Sequence, residues 1–384
     1  MAGPSGFEDA RFSDPVLCGR LAARIEESAR RTGAINLMEV CGTHTTSFFR
    51  HGIRDLLPPN VRLISGPGCP VCVTPTGYVD LALRLQDEPG VAIATFGDMV
   101  RVPGSRSSLE RERAHGRVVH VVYSPMDALD LARRNSAVTI VFLGVGFETT
   151  APTVALAIDR AAKEGIRNFR VLVGHKLVPP ALHALLSHPD LEIDGLILPG
   201  HVSVIIGSDA YRFVAEQYGI PGVICGFDPV DLLSGVLDLV EMSRDAVREI
   251  RNRYGRYVLK QGNLAARACM EEVFEVVDAQ WRGLGTIPAS GLRLRPRFSS
   301  HDAESLIEEQ EAARILRDAT EPEGCRCGDV LRGTVLPTDC PLFGGICTPE
   351  TPVGACMVST EGTCAAYFRY ARLGGAAPLK PGVS

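Results

Sequence analysis

From about Asn36 to Gly226, short aliphatic and β-branched runs alternate with stretches whose apolar positions recur at helical spacing. That alternation is the pattern of βαβ units and parallel sheets. It predicts strands at Asn36–Val40, Val61–Ser65, Val91–Phe96, Val118–Tyr123, Val138–Gly144, Phe169–Val173, Gly195–Leu198 and Gly222–Ile224. The runs are continuously apolar, which suits sheets covered on both faces. Eight strands would fill one sheet, but Ser124–Ser136, with Pro125 early and Met126, Leu129 and Ala132 at helical spacing, predicts a helix between two smaller sheets. The α/β region is accordingly divided near residue 136, into residues 36–136 and residues 137–229. After Asp228 the pattern predicts long helices, Val230–Tyr254 and Ala303–Asp318, joined by a Gly/Pro/Arg-rich passage at Arg282–Arg297. The last sixty residues are loop-rich, with too little apolar periodicity for a core, so a metal is expected to fix them. Residues 1–35 and 230–384 are grouped as a third, helical and loop-rich domain. No fixed-period repeat is evident, although the two α/β halves have the look of structural duplicates.

With 384 residues and 45% hydrophobic content, the chain can bury more than one core. Its net charge of -5 is spread along the chain and leaves no basic stripe for nucleic acid. The polar, acidic start MAGPSGFEDARFSD lacks the basic-then-apolar form of an export signal, and no apolar run reaches membrane length. A soluble, cytoplasmic protein is expected, without a membrane partner. Twelve cysteines in such a chain suit metal binding or catalysis better than a disulfide framework. Six of them (Cys325, Cys327, Cys340, Cys347, Cys356, Cys364) crowd the C-terminal end, and Cys41, Cys69 and Cys72 lie in Gly/Pro-rich loops. Cys18, Cys225 and Cys269 read as small buried hydrophobes.

The candidate chemistry gathers where strands end. Cys41-Gly42-Thr43-His44, Gly66 to Cys72, Gly97-Asp98, Gly146-Phe147-Glu148-Thr149-Thr150, Gly174-His175-Lys176 and Pro199-Gly200-His201 each follow a predicted strand. Ligands collect at the carboxyl ends of parallel strands, so these loops are expected to face one cleft. Singly, each has a plainer reading: glycines for turns, His175 and His201 as core residues. Together, six strand ends bearing Cys, His, Asp or Glu argue for a site. Cys69-Pro70-Val71-Cys72 has the spacing for a disulfide or for chelating one metal, and a helix starting near Pro75 would favour thiolate there. Cys41 stands alone, with His44 as a possible base or hydrogen-bond partner, and suits either a nucleophile or a soft metal ligand. Glu148, ahead of Thr149, Thr150 and Pro152, is either a first-turn carboxylate on the following helix or a catalytic group.

An iron–sulfur cubane needs four converging thiolates. From Cys325 the chain offers Cys340 after fourteen intervening residues, Cys347 after six more and Cys364 after sixteen, with Cys327 and Cys356 left over and prolines and glycines supplying the turns. Zinc also takes four thiolates, but usually from paired CxxC knuckles, which this segment lacks. The spacing therefore favours iron–sulfur and leaves zinc as the competing reading.

The motifs MEVCGTHT (Met38–Thr45), SGPGCPVCVTP (Ser65–Pro75), GFETTAP (Gly146–Pro152), LPGHVS (Leu198–Ser203) and CTPETPVGACMVSTEGTCAAY (Cys347–Tyr367) resemble the HypD family, which helps assemble the Fe(CN)2CO group of nickel–iron hydrogenases. The resemblance implies two α/β domains facing a cleft and a third domain holding a [4Fe–4S] cluster. It implies a metallochaperone that holds iron jointly with HypC and receives cyanide from HypE, with the hydrogenase large subunit as the recipient. Carried onto this chain, Cys41 is the implied iron ligand with His44 beside it, and Cys69 and Cys72 are the implied redox pair. Cys325, Cys340, Cys347 and Cys364 are the implied cluster ligands, and Glu148 and His201 join the site residues. The chemistry agrees, since low-spin iron prefers a soft thiolate and a water-excluding cleft. The expected activity is a redox-active scaffold rather than a turnover enzyme; the alternative is a cluster-fed thiol–disulfide reductase.

Overall fold

The computed structural model describes residues 12–188 and 191–371. Residues 1–11, most of the stretch Met1–Asp14 that carries the expectation of no export signal, lie outside them. The chain is α/β, with two parallel sheets, a separate hairpin and a loop-rich C-terminal segment. Among the described residues no helix is long and apolar enough to cross a membrane.

All eight predicted strands form: β1 (Ile35–Glu39), β2 (Val61–Ser65), β3 (Val91–Thr95), β4 (Val119–Val121), β5 (Thr139–Gly144), β6 (Phe169–Val173), β7 (Gly195–Leu198) and β8 (Gly222–Ile224). Among the described residues three more occur, β9 (Ile250–Asn252) and the hairpin strands β10 (Phe274–Trp281) and β11 (Gly285–Leu294). The expected connecting helix is present as Pro125–Arg134, with Ser124 and Asp127 forming a capping box.

The partition of strands between sheets corrects the division near residue 136. One sheet has the order β2-β1-β7-β8-β9 and the other β4-β3-β5-β6, so the second is inserted whole into the first. The helix Thr76–Leu85 carries the chain out, packing with β3 and β5 residues such as Ile93 and Val141. The helix Val178–Leu186 brings it back, packing against Leu196 and Leu198 of β7. Within each sheet the first strand is flanked by the second on one side and the third on the other, so both share the arrangement 2-1-3-4. That common order is what duplicated halves would give.

The C-terminal third departs from the helical expectation in two places. The helix after Asp228 ends at Arg244, where Ala246 takes a left-handed backbone (φ 54°), and the chain then adds β9 to the sheet edge. The Gly/Pro/Arg-rich passage is not a linker: much of it is β11, paired antiparallel with β10 across a register shift at Val277/Ala279. The helix expected over Ala303–Asp318 is confined to Glu309–Asp318, preceded by a turn of 3-10 helix at Glu304–Leu306.

The sheets are covered as continuous apolar strands require. Helices Pro15–Ala29 and Pro229–Arg244 cover one face of the five-stranded sheet through Ile25, Leu37, Val236 and Val240. Helices Pro125–Arg134 and Ala151–Glu164, with the hairpin, cover one face of the four-stranded sheet. A further core joins Met38, Val40, Cys69, Cys72, Phe147, Leu198 and Tyr211 to Cys327, Cys347, Cys356 and Cys364. Strand-end loops of both sheets therefore share one apolar interior with the cysteine-rich segment.

Candidate functional site

Cys41 follows β1 and caps the helix Gly42–Arg50 with an extended backbone (φ -153°, ψ 126°). Its strand lies where the order of the sheet reverses, between β2 and β7, the place where an open sheet leaves a crevice. The sulfur is buried and receives hydrogen bonds from the Thr43 and His44 amides. Burial, and secondarily the charge of Glu361, outweigh those bonds and push the thiol up to about 11. Removing this proton therefore calls for a strong partner such as a metal ion.

The CxxC loop is pressed onto Cys41. A Cβ at Gly68 would sit 2.3 Å from the Cys41 nitrogen, so only glycine permits the approach. Gly42 donates to the Gly68 carbonyl at 3.0 Å and Gly66 to the Glu39 carbonyl at 2.9 Å. Cys69 caps a single turn, Pro70–Val73, and its sulfur accepts the Cys72 amide at 3.3 Å. Burial raises the Cys69 thiol. Burial acts on Cys72 in the same direction, but hydrogen bonds from Cys356 and Cys69, with the nearby Arg282 charge, overturn it and bring Cys72 down to about 6. Cys72 is thus the thiolate of the pair. Beneath the loops, the wholly buried Glu39 carboxylate accepts from Arg54 at 2.5 Å, Thr45 at 2.6 Å and Ser65 at 3.1 Å, fixing β1, β2 and the Cys41 helix to one another.

His44 reaches a different neighbour than the sequence suggested. Its Nε2 lies 3.2 Å from the Cys225 carbonyl and 3.1 Å from that of Gly226. Carbonyls only accept, so Nε2 carries the proton and Nδ1 keeps its lone pair, buried and without a partner. Burial lowers the ring to about 4, which leaves it neutral at ordinary pH. Its link to the Cys41 sulfur is through its backbone amide. Phe227 stacks between the two imidazoles, 4.7 Å from His44 and 4.0 Å from His201 at the surface. Cys225, read as a plain buried hydrophobe, is buried, and its sulfur lies 3.8 Å from His44 Nε2.

The loops of the four-stranded sheet contribute unevenly. Glu148 does not cap its own helix, which begins after Thr150; its Oε1 accepts from the Val178 amide at 2.9 Å, the first residue of a different helix. Its Oε2 is buried without a partner, and burial lifts the carboxyl to about 7. Asp98 accepts from Ser359 at 2.7 Å. His175 and Lys176 are both buried; burial, helped by the Lys176 charge, takes His175 to about 3 and leaves it neutral, while burial brings Lys176 only to about 8, still cationic at neutral pH.

All twelve cysteines are unpaired. Cys327 and Cys356, left over in the sequence, have sulfurs 2.9 Å apart, and Cys356 also bonds Cys364 and Cys72. The signal for them was parity: four cluster ligands among six cysteines leave two that need a role. Cys325 lies within electrostatic reach of Cys340 and Cys364, and Cys364 within reach of Cys347. A Cβ at Gly354 would meet the Cys325 sulfur at 2.7 Å, so glycine clears space beside that thiol. Among the described residues no three His, Cys, Asp or Glu groups close on a single ion. The soft donors, their mutual reach and the cleared space are compatible with an iron–sulfur cluster.

Fold and site together define a class: an α/β protein that presents buried thiols at its strand ends to a cysteine-rich domain. A family model, HypD, described as "Hydrogenase formation hypA family", matches residues 17–371. The chain is 47% identical over 368 residues to the hydrogenase maturation factor HypD of Azotobacter vinelandii, covering 94% of this chain and 96% of that one. It is 45% identical over 350 residues to HypD of Escherichia coli K12, covering 91% and 92%. The chain belongs to the HypD family of hydrogenase maturation factors, and its role lies in hydrogenase assembly.

Proposed function

We propose that this protein is a scaffold and redox partner in building the Fe(CN)2CO group of nickel–iron hydrogenases. Cys41 holds the iron together with HypC, cyanide arrives from HypE as a thiocyanate, and the finished group passes to the hydrogenase large subunit, all in the cytoplasm. The observation that carries the reading is the unbroken row of sulfurs, Cys69, Cys72, Cys356 and then Cys327 and Cys364, ending in the loop pressed onto Cys41. Freeing cyanide breaks the S–C bond of the thiocyanate and takes two electrons, giving a thiolate and a cyanide ion. Cys69 and Cys72 supply both electrons by closing to a disulfide, and Cys72, the thiolate, makes the first attack. The Cys327–Cys356 pair stands where it can exchange with Cys72 and reopen that disulfide. A [4Fe–4S] cluster on Cys325, Cys340, Cys347 and Cys364 supplies the replacing electrons when bound.

Cys41 has no cysteine among the hydrogen-bond partners of its sulfur, which favours an iron-holding role over the plain reductase reading. The test is the Cys41→Ala variant purified anaerobically with HypC. Infrared bands of cyanide and carbonyl are expected to vanish while the visible absorbance of the cluster remains. Bands that survive the substitution would assign the iron to another residue.

A further inference from the structure

Between Cys356 and Cys364 the chain sends three residues across the strand ends of both sheets. Ser359 donates to Asp98 after β3, in the four-stranded sheet, at 2.7 Å. Thr46 donates to the Thr360 carbonyl at 3.0 Å, and Thr43 donates to Glu361 Oε1 at 2.6 Å. Both threonines belong to the helix that Cys41 caps. The approach is close: a Cβ at Gly42 would lie 2.4 Å from the Glu361 carbonyl oxygen and 2.8 Å from its Cβ, so the residue after Cys41 is glycine because Glu361 occupies the space.

A hydroxyl has one hydrogen to give, and a carboxylate is a strong acceptor. Thr43 therefore gives its hydrogen to Glu361, which ties the first turn of the helix that Cys41 caps to the cysteine-rich segment. The Glu361 charge is felt at Cys41, Cys69, Cys72 and His201 alike, which puts the carboxylate in the middle of the site although no strand-end loop carries it.

We propose that Glu361 is a positioning residue for the Cys41 site, fixing the first turn of the helix that Cys41 caps through the Thr43 hydroxyl. Because Glu361 sits between Cys356 and Cys364, it does so only while the cysteine-rich segment is docked on the strand ends. The inference rests on the reading of Cys41 as the iron-holding residue.

The test is residue-resolved alkylation by iodoacetamide, followed by mass spectrometry, on the full chain purified anaerobically. It needs neither iron nor HypC, so it can fail while the maturation reading stands. Glu361→Ala and Glu361→Gln remove the same charge, but the glutamine oxygen still accepts from Thr43. Loss of one such bond is expected to change the Cys41 labelling rate about tenfold in Glu361→Ala, with Glu361→Gln within about twofold of wild type. Thr43→Val should behave as the alanine variant and Thr43→Ser as wild type, which keeps the question open to measurement if Glu361→Ala does not fold. Equal rates in the alanine and glutamine variants, or no change in either, would overturn the proposal.

Discussion

The strand-end loops and the cysteine-rich segment meet over the same few sulfur atoms but are held in opposite ways. The loops hang from sheets whose interior residues, Leu37, Phe142 and Phe169 among them, are wholly buried, and glycine contacts leave them little room to shift. Among the described residues from Cys325 onward the helices run only three to six residues, and Ile346 and Leu336 stand exposed. One arm of the site is built by packing before any ligand arrives. The other adds few apolar side chains of its own, such as Val330, Leu331 and Met357, and four cysteines to the shared core, so its order is expected to depend on what those thiols bind.

The sharpest way to break this contrast is to take the metal away. Protein purified anaerobically is expected to be brown, with about four irons and four sulfides per chain. Cys347→Ser, or chelation, is expected to abolish hydrogen-exchange protection from Cys325 to Cys364 and leave β1, β5 and β7 protected. A colourless protein with one equivalent of zinc, or protection that survives chelation, would show the segment to be held some other way.

A smaller effect probes the packed arm. Glu39→Ala leaves Arg54 largely buried without its carboxylate and is expected to cost about 3–5 kcal/mol in urea unfolding of the α/β region. A loss below about 1 kcal/mol would mean that the loops are held by glycine contacts alone.

The smallest effect is a dependence on pH. The native Glu148 carboxyl titrates near 7 against 4.5 for an ordinary glutamate, so between those values the folded chain binds more protons than the unfolded one. Its contribution is fully present below 4.5 and lost as pH rises through 7. Glu148→Gln keeps the acceptor for the Val178 amide and cannot ionise. It is expected to match wild type at low pH and to gain roughly 1–3 kcal/mol above neutrality; a constant difference across the range would refute the assignment.

Much of the packed arm was legible in the sequence. β2, β6, β7 and β8 carry the predicted boundaries; β7 and β8 are unbroken buried apolar runs between turn residues, and β2 and β6 keep enough β-branched and apolar positions around Arg62 and Arg170 to be read as strands. The hairpin escaped because β10 alternates buried and more exposed positions and β11 contains glycine and proline, which locally read as a linker. β9 escaped because a three-residue edge strand leaves no period of its own. The division at residue 136 failed for a different reason: periodicity reports the kind of element, and which strands pair is decided by contacts far apart in sequence. The site divides along the same line. Cys41, Cys69 and Cys72 announce themselves beside glycines, whereas Glu361 reaches Thr43 across 318 positions and nothing local marks it.

The insertion of one sheet within the other also orders events in time. Translation delivers β1 and β2 first, then the whole of the four-stranded sheet, and only afterwards β7, β8 and β9. A nascent chain can complete the inserted sheet while Cys41 still waits on a two-stranded fragment with one flank bare. His44 lacks its carbonyl acceptors until the loop after β8 has emerged, and the cysteine-rich segment follows last. The residue read here as the iron holder is among the first of the site to be synthesised and among the last to be enclosed, so an unfinished ribosomal product has no finished pocket in which to capture a metal.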